Sequence, residues 1–272
     1  MKSRTRPDSM FPPVVSDLPD DWLHSTPLLD LSDPKLRLKT RSLTQLARTD
    51  RQKALAIYAF VKRLPYAKRI KLEYPTARDV LEQRTGDGDD KATLLVAMLR
   101  VAGIPARIRY EEMKGAMLRG LVPGPNPPDA ARPLAEIWLD GHWVRTDTYI
   151  FDANYVSAAM RNLRARGWKY GWGLHLDADL LWNGKDDAFL GGVPTEEDPM
   201  LMRTLCIVSD PLELVAPAMR NNGYRYRRSV RALQWNMLAP AMSRSIGRLR
   251  AARIVTSGHD ASAPAPTPEP SR

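Results

Sequence analysis

Few residues in this chain of 272 could do covalent chemistry. It has one cysteine, Cys206, and four histidines. A single cysteine excludes an internal disulfide, a zinc cluster and an iron–sulfur site, and leaves only a nucleophile to consider. Cys206 lies in the apolar, strand-like run from Leu201 to Asp210, where a thiol is expected to be buried and inert. The other concentration of reactive types is Gly86-Asp87-Gly88-Asp89-Asp90, at a loop-to-helix junction. Carboxylates there cap free N–H groups and complement the positive end of a helix. They would also suit a hard divalent cation. The run has no ligand spacing such as that of an EF-hand, so no metal and no cofactor is assigned. An aspartate nucleophile would need an acid/base partner, and the sequence offers none beside it.

The elements that must position these groups can be read from caps and periodicity. Asp33-Pro34 starts a helix that runs to about Leu46, and Thr49-Asp50 starts another with Ala54, Ile57, Tyr58 and Val61 on one face. Thr76 to Leu81 is a short helical turn. A strong helix follows from about Asp90 to Ala102, stopped by Gly103 and Pro105. Ala106 to Tyr110 reads as a strand, and residues 119–133 as a proline-rich loop. Leu134 to Leu139 and His142 to Asp147 alternate around Asp140-Gly141, the strongest short-range hairpin signal. That two-residue turn sets the register. Ala135, Ile137, Leu139, Val144 and Thr146 face the core; Arg132, Glu136, Trp138, Trp143, Arg145 and Asp147 share the other face. Residues 151–195 are rich in Trp, Gly and Asp and are expected to be irregular. Helices before antiparallel strands give an α+β fold.

At this point the order of motifs resembles the transglutaminase-like superfamily, which has the papain-like cysteine protease fold. The likeness rests on Gly86-Asp87-Gly88-Asp89-Asp90-Lys91-Ala92, the helix that ends in Gly103-Ile104-Pro105-Ala106-Arg107, and the hairpin from Ala135 to Asp147. The resemblance implies a Cys-His-Asp triad for acyl transfer or amide hydrolysis. A cysteine at the helix N-terminus would be favoured as thiolate, a strand histidine would take its proton, and an aspartate would hold the imidazole. Carried over position by position, the nucleophile falls on Gly88, the base on Arg132, and only Asp147 matches. No cysteine precedes Cys206, and no histidine lies between His24 and His142. His142 is five residues from Asp147 along one strand, roughly 16 Å away. Arginine cannot act as a base at neutral pH, but it can pair with a carboxylate. As the diagonal neighbour of Asp147, Arg132 is predicted to form a salt bridge with it. No catalytic residue is expected; Gly88, Arg132 and Asp147 are vestigial triad positions. Asp87, Asp89, Asp90, Glu136, Trp138 and Trp143 are the cleft candidates. Lys91, Arg100 and Arg107 follow the family pattern with structural roles, and His175 is a further candidate for the cleft wall.

Charge adds a separate expectation. The net +10 arises from 41 basic and 31 acidic residues. Nine arginines lie within residues 220–253, a stretch with no lysine and no acid; the rest of the chain carries 32 basic and 31 acidic residues. Arg225, Arg227, Arg228, Arg231, Arg244 and Arg248 form a basic patch, either a solvated helix face or a weak contact for nucleic acid or another anion. No apolar run reaches the roughly 18 residues of a membrane span. The first residues lack the apolar centre of a secretory signal, so a cytoplasmic location is expected. The expected organisation is an irregular arm over 1–30, the transglutaminase-like domain over 31–195, a mainly helical Arg-rich extension over 196–255, and a disordered Pro/Ala tail over 256–272. Three functions follow. The first is an inactive domain that binds a peptide, protein or acyl-bearing ligand in its cleft. The others are a divergent enzyme using a non-cysteine or metal-assisted mechanism, and an anion binder acting through the arginines.

Overall fold

A computed structural model of the chain describes residues 15–214 and 228–251. Three helices come first: α1 (Pro34–Thr44), α2 (Asp50–Arg63) and α3 (Ala77–Gln83). Each begins on the cap its sequence offers, with Asp33, Thr49 and Thr76 side chains accepting from backbone N–H groups of the first turn. They surround α4 (Gly88–Val101), which is buried at every residue from Asp90 to Arg100. A helix enclosed on all sides must satisfy its polar side chains internally. Lys91 does so by donating to three carbonyls, those of Lys62, Leu64 and Ile150. Burial holds its ammonium well below the ordinary lysine range, against the opposing pull of Asp152. Arg100 donates to the Ala106 carbonyl, which fixes the entry to the sheet.

The sheet is antiparallel, in the order β3-β2-β1-β6. β1 (Ala106–Met113) pairs with β2 (Ala130–Leu139), and β2 with β3 (His142–Thr146). Asp140 and Gly141 both have positive φ, 50° and 87°, as a type I′ turn requires. The predicted register holds, with Leu139 opposite His142, Trp138 opposite Trp143 and Glu136 opposite Arg145. Both β1 and β2 run further than their alternation suggested. β2 begins at Ala130, inside the expected loop, with Pro133 opposite Tyr110.

Two expectations fail. Residues 153–166 are not irregular but form α5 (Ala153–Arg166), N-capped by Asp152 and ended by Gly167 at φ 62°. Its buried residues Tyr155, Val156, Ala159, Met160 and Leu163 recur at helical spacing. Beyond it come only the two-residue strands β4 (Tyr170–Gly171) and β5 (Leu174–His175). Second, the strand-like run at Leu201–Val208 forms as expected but belongs to the main sheet and not to the extension beyond residue 195. It is β6, the fourth strand of the main sheet, paired along β1. The edge of β1 needs hydrogen-bond partners, and a boundary at 195 would remove them. After β6 come the short α6 (Pro211–Leu214) and the long α7 (Arg228–Ala251). α7 lies along the chain that follows α2. Asn236 brackets the backbone of Lys71, accepting from its N–H at 2.8 Å and donating to its carbonyl at 2.7 Å. Ser243 donates to the Lys68 carbonyl, and Arg250 to the Tyr66 carbonyl and Asp152. No helix among the described residues is long and apolar enough to cross a membrane.

Candidate functional site

The three positions to which the resemblance assigns a triad come together where α4 meets β2 and the end of β3. Gly88 is the first residue of α4, behind the N-cap Asp87. A Cβ built there would lie 3.1 Å from Pro133 Cγ and 3.7 Å from Ile150 Cδ1. The glycine therefore lets the Pro133 ring pack onto the start of the helix. Its φ is not positive, so no left-handed turn requires it.

Arg132 Nε stands 3.1 Å from Asp147 Oδ2, the ion pair that the hairpin register predicts. The contact lacks hydrogen-bond geometry, however, and Arg132 is crowded by more acid than the sequence disclosed. Its Nη2 is 3.8 Å from Glu111 and 3.6 Å from Asp198. All four side chains are buried, Arg132 at 8% exposure and Asp147 at 0%. One guanidinium thus faces three carboxyl groups. The three arginine nitrogens, Glu111 Oε2, Asp147 Oδ2 and Asp198 Oδ2 have no hydrogen-bond partner among the described residues. Burial raises the Asp147 carboxyl against the opposing pull of Arg132. Burial likewise pushes Glu111 up to about 7. Asp147 Oδ1 accepts the Leu190 N–H at 2.7 Å, which anchors the cluster to the loop after β5.

The acidic junction resolves into two kinds of residue. Asp87 and Asp90 form a capping box and are tied to the chain after α2. Lys68 Nζ lies 2.7 Å from Asp87, and Lys71 Nζ 2.7 Å from Asp87 and 2.5 Å from Asp90. The two ammonium groups hold Asp87 well below the usual carboxylate range against its burial, while burial and Asp87 raise Asp90 to about 6. Asp89 differs. It is half-buried and accepts from the Tyr110 hydroxyl at 2.9 Å. Among the described residues no cluster of His, Cys, Asp and Glu has the arrangement to hold a metal ion.

A cavity of about 140 Å³ opens beside these groups. Gly88, Asp87, Asp89 and Arg132 line its floor. Tyr66, Tyr74, Tyr110, Met113 and Met117 form walls, and Trp235 and Met242 of α7 complete it. Among the described residues its lining contains neither cysteine nor histidine. Cys206 is buried in β6, where desolvation pushes its thiol up to about 12.

Three cleft candidates lie elsewhere. Glu136 binds Arg107 and Arg109, each at 2.5 Å. Trp138 and Trp143 pack edge to face with centroids 5.4 Å apart, and the Arg107 guanidinium sits 4.1 Å over Trp143. They share the face of Arg132, but Glu136 is four residues further along β2, roughly 13 Å from the junction. His175 is also outside the cavity, near Asp177 on β5. Arg244 and Arg248 are exposed on α7, whose backbone also carries Arg228 and Arg231; Arg225, Arg227 and the tail over 256–272 lie outside the described residues. Sequence reasoning missed Lys68, Lys71, Glu111 and Asp198, which precede or follow the recognisable motifs. The only signal was the adjacent pair Glu111-Glu112 inside a strand, where alternation must turn one carboxylate inward.

Residues 38–148 match the family model described as the transglutaminase-like superfamily. None of the curated proteins compared matches the chain. Among solved structures it is similar to a candidate cysteine protease from Cytophaga hutchinsonii, with 21% identity and TM-score 0.39 over 52% of this chain and 43% of that one. It is also similar to a candidate protease from Parabacteroides distasonis, with 16% identity and TM-score 0.33 over 47% of this chain and 24% of the other. The chain thus spans less than half of either structure. Over residues 38–148, with helices packed on an antiparallel sheet and Gly88, Arg132 and Asp147 meeting at the start of α4, the chain carries a transglutaminase-like domain.

Proposed function

We propose that this domain has given up cysteine chemistry and binds a peptide, protein or acyl-bearing ligand in the cavity beside Gly88. The observation that carries this reading is the lining itself: an aromatic and thioether wall over a polar floor, with glycine and arginine at the positions where acyl transfer would need a nucleophile and a base. Arg132 is committed to a buried carboxyl cluster and stays charged at any working pH. The test pairs two measurements on the purified chain. Amide hydrolysis, ester hydrolysis and transamidation should all stay at background, with or without divalent metals. A panel of peptides and acyl compounds should include members that raise the unfolding midpoint. Turnover that survives repurification and disappears in Asp89→Asn would replace this reading with that of a divergent enzyme. One observation favours that second reading: Asp89 is an open carboxyl group in the cavity, raised by burial and by Asp87.

A further inference from the structure

Two polar groups on the cavity floor are not used up by the fold. Asp87 and Asp90, on either side of Asp89, are buried and bound by Lys68 and Lys71. Asp89 lines the cavity and its carboxylate takes one hydrogen bond, from Tyr110. Tyr110 faces Pro133 across β1 and β2, and Pro133 lies against Gly88. Arg132, the next residue along β2, lines the same cavity while more than nine-tenths buried. Its Nε and Nη2 have carboxyl neighbours at 3.1 to 3.8 Å, but Nη1 has neither an ion-pair nor a hydrogen-bond partner among the described residues. A buried N–H donor left in this state calls for an acceptor.

The charge around the site decides what that acceptor can be. Lys68, Lys71 and Arg132 face Asp87, Asp89, Asp90, Glu111, Asp147 and Asp198, two carboxyl groups for each cation. A carboxylate or phosphate brought to Arg132 would compete with the three carboxyl groups already beside it. A neutral carbonyl oxygen would not. Asp89, for its part, favours a cation, and aromatic faces stabilise one further. Lys68 already shows the wall in that role, with its ammonium 5.7 Å from the Trp235 ring.

A positive group beside a neutral carbonyl, on an apolar body, describes the beginning of a polypeptide. We propose that the cavity receives the free N-terminus of a peptide. The α-ammonium pairs with Asp89, the first carbonyl accepts from Arg132, and the first side chain rests on Met113, Met117 and Trp235. This rests on the cavity being a ligand site, and specifies which end of a peptide enters.

The full-length chain is titrated calorimetrically at pH 7 with L-phenylalaninamide and with its N-acetyl derivative. The amide keeps the carbonyl and the ring and is largely cationic below the α-amino pKa of about 8; acetylation removes the charge and adds an acetyl group, and Asp89→Asn separates the effect of charge from that of bulk. Phenylalaninamide is expected to bind at least tenfold more tightly. Asp89→Asn should abolish that preference without changing affinity for the acetylated form, and an unchanged unfolding midpoint will show that the variant folds. Equal affinity for both compounds, or a preference that survives Asp89→Asn, overturns N-terminal recognition and leaves the cavity as a site for another ligand. No binding of either compound at millimolar concentration overturns both readings.

Discussion

Replacing Glu111 by glutamine should stabilise this protein at pH 8 and do little at pH 4.5. Glu111 faces Arg132 directly across β1 and β2, yet the closest approach of the charges is 3.8 Å and no hydrogen bond joins them. Asp147 is nearer the guanidinium, and Asp198 competes for the same nitrogen. Glu111 is therefore the surplus acid, and burial raises it from 4.5 to about 7. A carboxyl group raised on folding stabilises the native state while it holds its proton. That contribution is complete below the unfolded pKa and is lost as pH climbs through the folded one. The shift of about 2.5 units corresponds to about 3 kcal/mol, lost mostly between pH 4.5 and 7. Glutamine keeps the shape and cannot ionise. Urea unfolding of both proteins at pH 4.5, 6 and 8 should show the variant gaining progressively, up to about 3 kcal/mol at the highest pH. If Glu111→Gln is instead less stable at pH 8 by as much as at pH 4.5, the ionised Glu111–Arg132 pair supports the fold and the argument from surplus acid is wrong.

Further predictions concern the nucleophile positions and α7. Native protein should resist iodoacetamide at pH 8, because Cys206 is buried with its thiol pushed up to about 12; Gly88→Cys, with its thiol at a helix N-terminus on the cavity wall, should be alkylated while gaining no hydrolase activity. Adding Arg132→His to complete a Cys-His-Asp set should cost about 3–5 kcal/mol, because three buried carboxyl groups lose the guanidinium they share; a double variant as stable as wild type would show that the cluster is not held by charge. Asn236→Ala removes both hydrogen bonds to the Lys71 backbone and should loosen α7 by about 1–3 kcal/mol. Faster amide exchange at Lys71 and along α7, with β2 unchanged, is the expected signature.

The motifs disclosed the domain because each depends on local backbone chemistry. Asp33, Thr49, Thr76 and Asp87 cap the helices they precede, and Asp140-Gly141 fixes the hairpin register by its φ requirement. That register is enough to place Arg132 beside Asp147. The helix at 153–166 was equally legible from Asp152 and Gly167, but the glycine- and tryptophan-rich stretch after it masked its periodicity. Glu136, Trp138 and Trp143 show the limit of parity. Sharing a face says which way a side chain points, not how far along the strand the site lies.

Sequence by itself determined that residue 88 is a glycine, that residue 132 is an arginine, and that the sole thiol lies in a strand-like run more than a hundred residues beyond Gly88. These are matters of identity and local spacing. Only the tertiary structure decided what surrounds them. Asp198 reaches Arg132 from beyond β5, Lys68 and Lys71 reach the acids of α4 from the chain after α2, and Trp235 closes the cavity from α7. Such contacts join distant parts of the chain, and neither caps nor periodicity carries information about them. They nevertheless fix how many carboxyl groups one arginine must balance.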